Sequence, residues 1–373
     1  MLDLAESGDP QAERSRPMVS TEKRIPTAVE EIDKAWFDSI LDEPVAGARI
    51  VDVIHGTATK VKTELSLGGT GTPARVQTVW VKIGLEPHSK GTKNDQVYAG
   101  ETFFYRNCGG KYETRTPACL FADTDSQGNS VLVLDDLCKY GAEFVDAARG
   151  GSVEEIGRGL EAIARYQAAS WMAPELYQMD WLRKGGCYQA ADVLGYIYDP
   201  THWEDYSKRP RYQVIAPQLR DRATLYRAHV VLRDDWWRRK PWALCHGDAH
   251  FGQVYYLPDG EARFLDWQCA QIAHWAHDMS YFMVSGLSIE DRRKCTRDLL
   301  AYYTAKLREF GVENGPTPDE AYDALCAYVF HGIAWAMCYV EWQAEETCVA
   351  MTERFSSAVL ELGALDILLG SGR

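Results

Sequence analysis

The sequence predicts an α+β protein with two lobes: an N-terminal antiparallel sheet lobe with one main helix, and a larger, mostly helical C-terminal lobe. In the first part of the chain, β-prone runs are separated by glycine-containing turns, at residues 49–54, 61–67 and 76–83. This arrangement favours a three-stranded antiparallel meander. From Ser152 onward, several segments carry apolar residues at helical spacing, which favours helices.

The lobes are predicted to meet near Leu134, where a short apolar run ends. The first residues are rich in Glu, Ser, Arg and Pro without any period, which is typical of a mobile tail. The predicted units are therefore a tail, an N-lobe and a C-lobe, at residues 1–24, 25–134 and 135–373.

The composition excludes several classes of partner. The chain has 373 residues, of which 46% are hydrophobic, and a formal net charge of −14. This charge disfavours nucleic acid and anionic membrane as main partners, because both reward basic surfaces. No apolar run approaches about 18 residues and no signal peptide is evident, so we expect a cytoplasmic protein. The ten cysteines include no Cys-x-x-Cys pair, which favours reduced thiols over disulfides or zinc.

Helix signals are clearest at two places. Residues 28–41 carry apolar side chains at helical spacing, and Thr27 with Glu30 resembles a capping box. Ser152 with Glu155 is a second capping box, and it opens a helix predicted to run to about Trp171. Both helices are expected to pack against the body of the protein, and another is expected at about 216–232.

The densest group of polar side chains surrounds a predicted hairpin in the C-lobe. Residues 244–253 read Leu-Cys-His-Gly-Asp-Ala-His-Phe-Gly-Gln, and β-prone runs flank Asp259-Gly260. An Asp-Gly pair in this setting favours a two-residue turn, which places Gln253 opposite Asp266. Their oxygens then converge where Asp248 enters. Such hard donors suit Mg²⁺ and a nucleophilic hydroxyl.

These residues resemble the aminoglycoside phosphotransferase and choline kinase-like superfamily, and within it the ecdysteroid-kinase-like branch. Its members carry a His-Gly-Asp-x-His-x-x-Asn loop and then a hairpin that ends in a metal-binding Asp. The resemblance implies a bilobal protein-kinase-like fold, with ATP and Mg²⁺ as cofactors. It implies that Asp248 orients or deprotonates the acceptor hydroxyl, and that Asp266 holds Mg²⁺.

Gln253 departs from this family pattern, which has Asn at the same position. The extra methylene moves the ligand oxygen by about 1.5 Å, a large shift for an ion with strict octahedral geometry. Either the loop compensates and Gln253 is a metal ligand, or one metal site is weakened and activity is low or lost.

The resemblance also assigns nucleotide contacts in the N-lobe. Lys82 lies on the third β-prone run, and Glu101 lies in a segment that resembles the family's Glu-x-x-Phe-Tyr helix. In the kinase layout such a lysine contacts the ATP phosphates and pairs with such a glutamate. A solvated lysine on the sheet is the alternative interpretation.

Two further segments are nucleotide-binding candidates. Between the first two runs, Gly56 and Thr57 offer backbone amides and a small hydroxyl for the phosphates, whereas the glycine-rich loop at 68–73 lacks Walker spacing and is interpreted as a hairpin loop. Asp135 and Leu137 follow a buried apolar run and resemble the family's hinge, whose backbone reads adenine. A core strand followed by an acidic turn is compatible with the same residues.

Three polar residues near the hairpin are expected to support it. A spacing of four between His246 and His250 also occurs in zinc sites, but no third ligand is evident, so we favour histidines that hold the loop by hydrogen bonds. In the family an Asp on the next helix braces the catalytic loop, which assigns that role to Asp278.

The sequence therefore predicts an ATP-dependent phosphotransferase that acts on an alcohol group of a small molecule. The aromatic stretch at 176–242 resembles a substrate-covering insertion and favours a hydrophobic or sterol-like alcohol. The acidic balance instead fits an aminoglycoside or amino alcohol. Gln253 leaves open a kinase-fold pseudoenzyme that binds nucleotide or a metabolite without turnover. A protein kinase is disfavoured because no Ala-Pro-Glu follows soon after Asp266.

Overall fold

The structure is a computed structural model, and it describes most of the chain. The described residues are 24–56, 58–69, 75–86, 95–185, 193–340 and 342–370. Three predictions fall wholly or largely outside them: the mobile tail at 1–24, the phosphate contact of Thr57, and most of the loop at 68–73.

The N-lobe contains a five-stranded antiparallel sheet with strand order β1-β2-β3-β5-β4. Its strands are β1 (Val45–Ile54), β2 (Thr59–Leu67), β3 (Arg75–Ile83), β4 (Cys119–Thr124) and β5 (Ser130–Asp135). The predicted meander corresponds to β1, β2 and β3. Along β2 every second side chain is buried, because successive residues of a strand face opposite sides of the sheet.

The first helix is shorter than predicted. Helix α1 spans Lys34–Ile40, and only a 3₁₀ turn at Val29–Glu31 precedes it. Asp33 has an extended backbone, and its carboxylate accepts a hydrogen bond of 2.8 Å from the Trp36 N–H. Asp33 is thus the N-cap, so a helix over 28–41 with a capping box at Thr27 was wrong.

The C-lobe is mostly helical, as the sequence predicts. After α2 (Asp95–Asn107) of the N-lobe, the helices are α3 (Val153–Ala169), α4 (Pro174–Tyr177), α5 (Val193–Ile197), α6 (Pro200–Tyr206), α7 (Pro210–Gln213), α8 (Arg222–Val231), α9 (Ala276–Gly286), α10 (Ile289–Glu309), α11 (Pro318–Tyr328), α12 (Glu345–Glu361) and α13 (Ala364–Leu369). The capping box of Ser152 and Glu155 is present at the start of α3. The helix expected at 216–232 is instead a 3₁₀ turn followed by α8, which begins after Asp221 caps it.

Short strands complete the C-lobe. They are β6 (Glu143–Phe144), β7 (Arg183–Lys184), β8 (Trp242–Cys245), β9 (Val254–Tyr256), β10 (Ala262–Phe264) and β11 (Gln271–His274). They form two three-stranded sheets, in the orders β10-β9-β6 and β7-β11-β8. Among the described helices, none has the length and apolar character needed to cross a membrane.

The buried apolar residues form two clusters. The smaller one lies between the N-lobe sheet and α1, and the larger one fills the C-lobe. Phe104 of α2 and Leu132 of β5 belong to the larger cluster. Helix α2 therefore connects the two lobes, and it carries the predicted site residue Glu101 along the boundary.

Candidate active site

The hairpin of β9 and β10 has a turn that is one residue longer than predicted. Val254 lies opposite Phe264, and the Gly260 N–H donates to the Leu257 carbonyl at 2.7 Å. In the predicted two-residue turn, Pro258 would pair with Glu261 through its N–H, which proline lacks. The Leu257 N–H donates to the Glu261 carbonyl instead, at 2.9 Å. Gly260 supplies the positive φ, at 84°, and the loop has three residues.

The longer turn shifts the end of the hairpin. The Leu265 N–H donates to the Gln253 carbonyl at 2.8 Å, so the prediction that Gln253 lies directly opposite Asp266 was wrong. Asp266 comes one position later, in the left-handed region with φ 60° and ψ 62°. Asp is one of the few side chains that adopt this conformation readily, and it turns the backbone away from the strand.

Helix α9 holds the loop between β8 and β9 through hydrogen bonds to Asp278. Asp278, in the first turn of α9, is fully buried. Its carboxylate accepts hydrogen bonds from the backbone N–H of His246 at 2.6 Å, the N–H of Gly247 at 3.1 Å and the hydroxyl of Tyr166 at 2.6 Å. The bracing role predicted for Asp278 is confirmed by these contacts.

The two histidines of the loop make hydrogen bonds within it, as predicted. The His246 Nε2–H donates to the Leu265 carbonyl at 2.6 Å, and its Nδ1 accepts from the Asp248 N–H at 3.3 Å. Burial lowers the pKa of His246, which keeps the ring neutral and able to accept. His250 Nδ1 accepts from the Gly252 N–H at 3.1 Å, and burial lowers the pKa of His250 to about 3.

Gly247 is required by close packing as well as by its backbone. Its φ is 84°, and a Cβ atom there would lie 2.0 Å from the Cys269 carbonyl oxygen. Real Cβ atoms do not approach oxygen so closely, and a positive φ is costly for other residues. The glycine therefore lets the loop pass against the segment that follows Asp266.

Asp248 has the electrostatic setting of a general base. Burial raises the pKa of Asp248 to about 7, the charge of Asp266 adds to the rise, and hydrogen bonds from the side chains of Gln253 and Tyr281 oppose it. Its side chain keeps 30% of its surface exposed. A carboxylate with a pKa near neutrality accepts protons efficiently at that pH.

Tyr281 is a site residue that the sequence analysis missed. It lies three residues after Asp278 on α9, and residues with this spacing share one face of a helix. Its position relative to Asp278 was therefore the available signal. Its hydrogen bond to Asp248 means that the same face of α9 contacts both the backbone and the carboxylate of the loop.

Lys82 of β3 lies between two carboxylates. Its Nζ is 2.6 Å from Glu101 Oε2 and 2.7 Å from Asp266 Oδ1, and 12% of its side chain is exposed. Burial alone would lower the pKa of Lys82, but the charges of Asp266 and Glu101 outweigh it and raise the pKa. Lys82 in turn holds the pKa of Asp266 below its usual value, against the effect of burial. Burial raises the pKa of Glu101.

Aromatic stacking positions α2 against this group. The ring of Phe104 stacks on Trp267 with centroids 4.4 Å apart and planes 4° apart. A Cβ atom on Gly100 would lie 3.4 Å from the Gln268 carbonyl, so the helix backbone passes close to the same segment. Because Glu101 lies between Gly100 and Phe104 while Trp267 follows Asp266, this packing fixes the distance between the two carboxylates that bind Lys82.

The predicted hinge residues lie at the end of β5 and at the start of the 3₁₀ turn that follows it. The Asp135 carboxylate accepts from Tyr140 at 2.7 Å and Gln77 at 3.1 Å and pairs with Lys139 at 2.5 Å, so its side chain is already engaged. Leu137 is buried and opens a 3₁₀ turn. At the other predicted nucleotide segment, a Cβ atom on Gly56 would lie 3.8 Å from the Ala58 carbonyl oxygen and within 4 Å of no other described atom beyond its chain neighbours.

Asp266 and Gln253 each carry an oxygen donor of the kind that Mg²⁺ binds. Asp266 offers a carboxylate that is 22% exposed, and Gln253 is half-buried beside Asp248. An amide that donates to Asp248 does so through nitrogen, which leaves its oxygen as the end that can bind a cation. Mg²⁺ in nucleotide sites takes one or two protein oxygens and completes its shell with phosphates and water.

Comparison with known proteins gives a family and a set of distant structural likenesses. Residues 56–191 and 201–312, more than half of the chain, match the sequence profile of the ecdysteroid kinase-like family. Choline kinase LicA from Streptococcus pneumoniae is 12% identical with a TM-score of 0.47, over 88% of this chain and 97% of that chain. The GDP and kanamycin complex of APH(2")-IIia is 11% identical with a TM-score of 0.44, over 89% and 96%. The macrolide 2'-phosphotransferase MphH from Brachybacterium faecium is 14% identical with a TM-score of 0.41, over 87% and 95%. No curated protein gives a significant match.

Proposed function

We propose that this chain, which belongs to the ecdysteroid kinase-like family, transfers the γ-phosphoryl group of ATP to a hydroxyl group of a small molecule. One observation carries the proposal: the same boundary between lobes brings together the Lys82 ammonium, the Asp266 carboxylate and an Asp248 carboxylate whose pKa is raised to about 7. Phosphoryl transfer needs a cation for the phosphates, a carboxylate for the metal and a group that aligns the hydroxyl.

Each residue has a separate role in this proposal. Lys82 binds phosphate oxygens, and Glu101 keeps its ammonium in place. Asp248 accepts a hydrogen bond from the acceptor hydroxyl, orients it and takes its proton as the bond to phosphorus forms. Asp278 holds the loop so that Asp248 reaches the hydroxyl.

Asp266 and Gln253 are the residues that would hold Mg²⁺. Bound there, the ion would supply positive charge against the phosphate oxygens. Gly56, Thr57, Asp135 and Leu137 stay candidates for contacts to ATP, with Asp135 and Leu137 contributing through the backbone at the hinge. The engaged Asp135 carboxylate supports a backbone role.

The acceptor is proposed to be a hydrophobic, ring-containing alcohol. Near Asp248, the His250 ring meets the edge of Trp335, with centroids 5.2 Å apart. Tyr339 is half-buried in the segment that follows Trp335 and stacks on His202 at 4.3 Å. Aromatic side chains around a few polar groups are typical of pockets for apolar ligands. In the stretch predicted as an insertion, several aromatics lie in the core, namely Tyr198, Tyr206 and Tyr212.

A turnover assay with a panel of acceptors tests the proposal. The panel pairs sterol-like and aromatic alcohols with choline and aminoglycosides, and ADP formation is followed with ATP and Mg²⁺. We expect ADP formation that depends on a hydrophobic alcohol and is lost in Asp248→Asn. Turnover with aminoglycosides or choline alone would show that the acceptor is an aminoglycoside or amino alcohol and not a hydrophobic alcohol. ATP binding with no turnover on any acceptor would overturn the enzymatic proposal in favour of the pseudoenzyme that Gln253 leaves open.

A further inference from the structure

Lys60 of β2 lies directly across the sheet from Lys82. The two residues are paired Cα to Cα between β2 and β3, so their side chains leave the same face of the sheet, about 5 Å apart at Cβ. Thr59 and Val61 on either side of Lys60 are buried, whereas Lys60 is exposed. Like charges directly opposite each other destabilise a strand pair. We therefore expect another interaction to compensate the repulsion between these two lysines.

The neighbouring lysine on the same face is engaged in a different way. The Lys62 ammonium lies 3.1 Å from the buried carboxylate of Asp136 and 5.3 Å from the centre of the Trp80 ring. Lys60 has no such ion pair with any residue in the described part of the chain. Its position opposite Lys82 brings its charge near the two carboxylates that hold Lys82. There it contributes to the lowered pKa of Asp266 and opposes the rise that burial causes in the pKa of Glu101.

The carboxyl groups in the cleft around Lys82 favour a second cation there. Glu101 and Asp266 both contact the Lys82 ammonium, and the Asp248 carboxyl group lies near enough to Asp266 for the charge of Asp266 to raise the pKa of Asp248. A triphosphate adds further negative charge at the same place. Phosphate groups bind where several positive donors converge, and Lys serves as a mobile point charge for them.

We propose that Lys60 is a second phosphate-binding residue, which with Lys82 contacts the β- and γ-phosphate oxygens of ATP. This inference rests on the proposed function, because it takes the Lys82 cleft as the phosphate site. Nucleotide binding then offsets the cost of the like-charge pair. The repulsion between Lys60 and Lys82 in the free protein is relieved when phosphate oxygens lie between them.

The test compares ATP with AMP, because AMP lacks the β- and γ-phosphates. We expect Lys60→Gln to weaken ATP binding about tenfold, the usual size of a lost charge-assisted contact. AMP affinity should change less than about twofold. Calorimetric titration of each nucleotide with Mg²⁺ measures both. The melting temperature without nucleotide should stay within about 1 °C of the wild-type value, because repulsion from Lys82 offsets attraction to the carboxylates.

Two variants serve as controls. Lys60→Arg keeps the positive charge and should keep ATP affinity within about threefold of wild type. Lys294→Gln removes the same charge from an exposed position on α10, where Lys294 pairs with Glu290 at 2.5 Å. It should leave both affinities unchanged, because Lys294 lies on a C-lobe helix and not on the N-lobe sheet, and exposed charges more than a Debye length apart are largely screened.

Three results would overturn the inference. The first is a Lys60→Gln variant that binds ATP as wild type does, and the second is one that loses ATP and AMP affinity equally. The third is a variant whose melting temperature is low enough to account for its weaker binding. In each case the wild-type protein still binds ATP, so the proposed function stands. A wild-type protein that binds neither nucleotide would overturn both.

Discussion

Asp248 combines two properties that oppose each other in a folded protein. Burial and the charge of Asp266 raise the pKa of its carboxyl group to about 7, well above the usual range for Asp. The ionised form therefore costs folding free energy at pH 8 and supplies a proton acceptor at the same pH. Functional residues of this kind lower the stability of the folded protein.

Asp248→Asn should separate the two effects. We expect kcat to fall about 10²- to 10⁴-fold, the range for loss of a positioned base. We also expect the free energy of unfolding at pH 8 to rise by about 1–2 kcal/mol, because the folded-state pKa of Asp248 lies above the unfolded value. The gain should shrink as the pH falls from 8 to 5, where the wild-type carboxyl group becomes protonated. Turnover assays and urea denaturation at both pH values measure this. A variant that loses activity and stability together would contradict the assignment.

The pH dependence of the wild-type activity follows from the same group. Because Asp248 must be ionised to accept a proton, kcat/KM should rise with pH and level off above about pH 7. The profile is measured from pH 5 to 9 with saturating Mg²⁺. A profile that is flat or falls over this range would show that Asp248 is not the base.

Gln253 acts on both the metal site and the base in the proposed arrangement. Gln253→Asn restores the family's residue, so it should keep or raise activity and lower the Mg²⁺ concentration needed for half-maximal turnover. Gln253→Ala should raise that concentration, because it removes an oxygen ligand. The measurement is activity against Mg²⁺ at fixed ATP. A large loss in Gln253→Asn at every Mg²⁺ concentration would show that the longer side chain is needed for its hydrogen bond to Asp248.

At the scale of elements, α9 supports the loop between β8 and β9, which is the proposed catalytic loop. Asp278→Ala would leave three buried donors without an acceptor, two backbone N–H groups and the Tyr166 hydroxyl. We expect the free energy of unfolding to fall by about 3–5 kcal/mol. Tyr166→Phe is the matched comparison, since it removes one donor together with its hydrogen bond and should cost about 1 kcal/mol. Chemical denaturation of both variants measures this, and equal losses would contradict a role for Asp278 on the loop backbone.

The sequence predicted the elements that carry strong local patterns. Alternation marked β2 and β3, a capping box marked the start of α3, and the motif residues located Asp248, Asp266 and Asp278. It missed β4, whose residues are partly exposed along most of its length, so that little apolar pattern is present. Strands β6 and β7 have only two residues each, which is too short for a pattern in the sequence. They form because a partner strand is already in place.

The hairpin register shows where local rules stop. The Asp-Gly pair was taken as a two-residue turn, but Pro258 before it has no N–H to pair with Glu261. Leu257 makes that pair instead, which lengthens the turn by one residue. Because the turn is one residue longer than predicted, Leu265 lies opposite Gln253, and Asp266 comes one position later. Its contact with Lys82 of β3 depends on the packing of the two lobes, which no local pattern in the sequence reports. The same holds for the cross-strand position of Lys60.

At the scale of the whole molecule, buried histidines are spread through the C-lobe. Burial lowers the pKa of His229, His250 and His274 to about 3 in each case, against about 6.5 in an unfolded chain. They lie on separate elements: His229 on α8, His250 after β8 and His274 at the end of β11. Their effects on stability should therefore add.

These histidines predict that the protein loses stability in mild acid. Below about pH 6.5 the unfolded chain binds protons that the folded chain rejects, so stability is full above that pH and falls as the pH decreases towards 3. Asp248 opposes the loss, because its folded form gains a proton between pH 7 and 4. Burial also lowers the pKa values of His246, His277 and His331. The histidines together should therefore outweigh Asp248, and we expect the free energy of unfolding to be at least about 2–4 kcal/mol lower at pH 5 than at pH 7.5. Urea denaturation at both pH values measures this, and Asp248→Asn, which lacks the opposing group, should lose more. A wild-type stability that is constant or higher at pH 5 would mean that these histidines become protonated without unfolding.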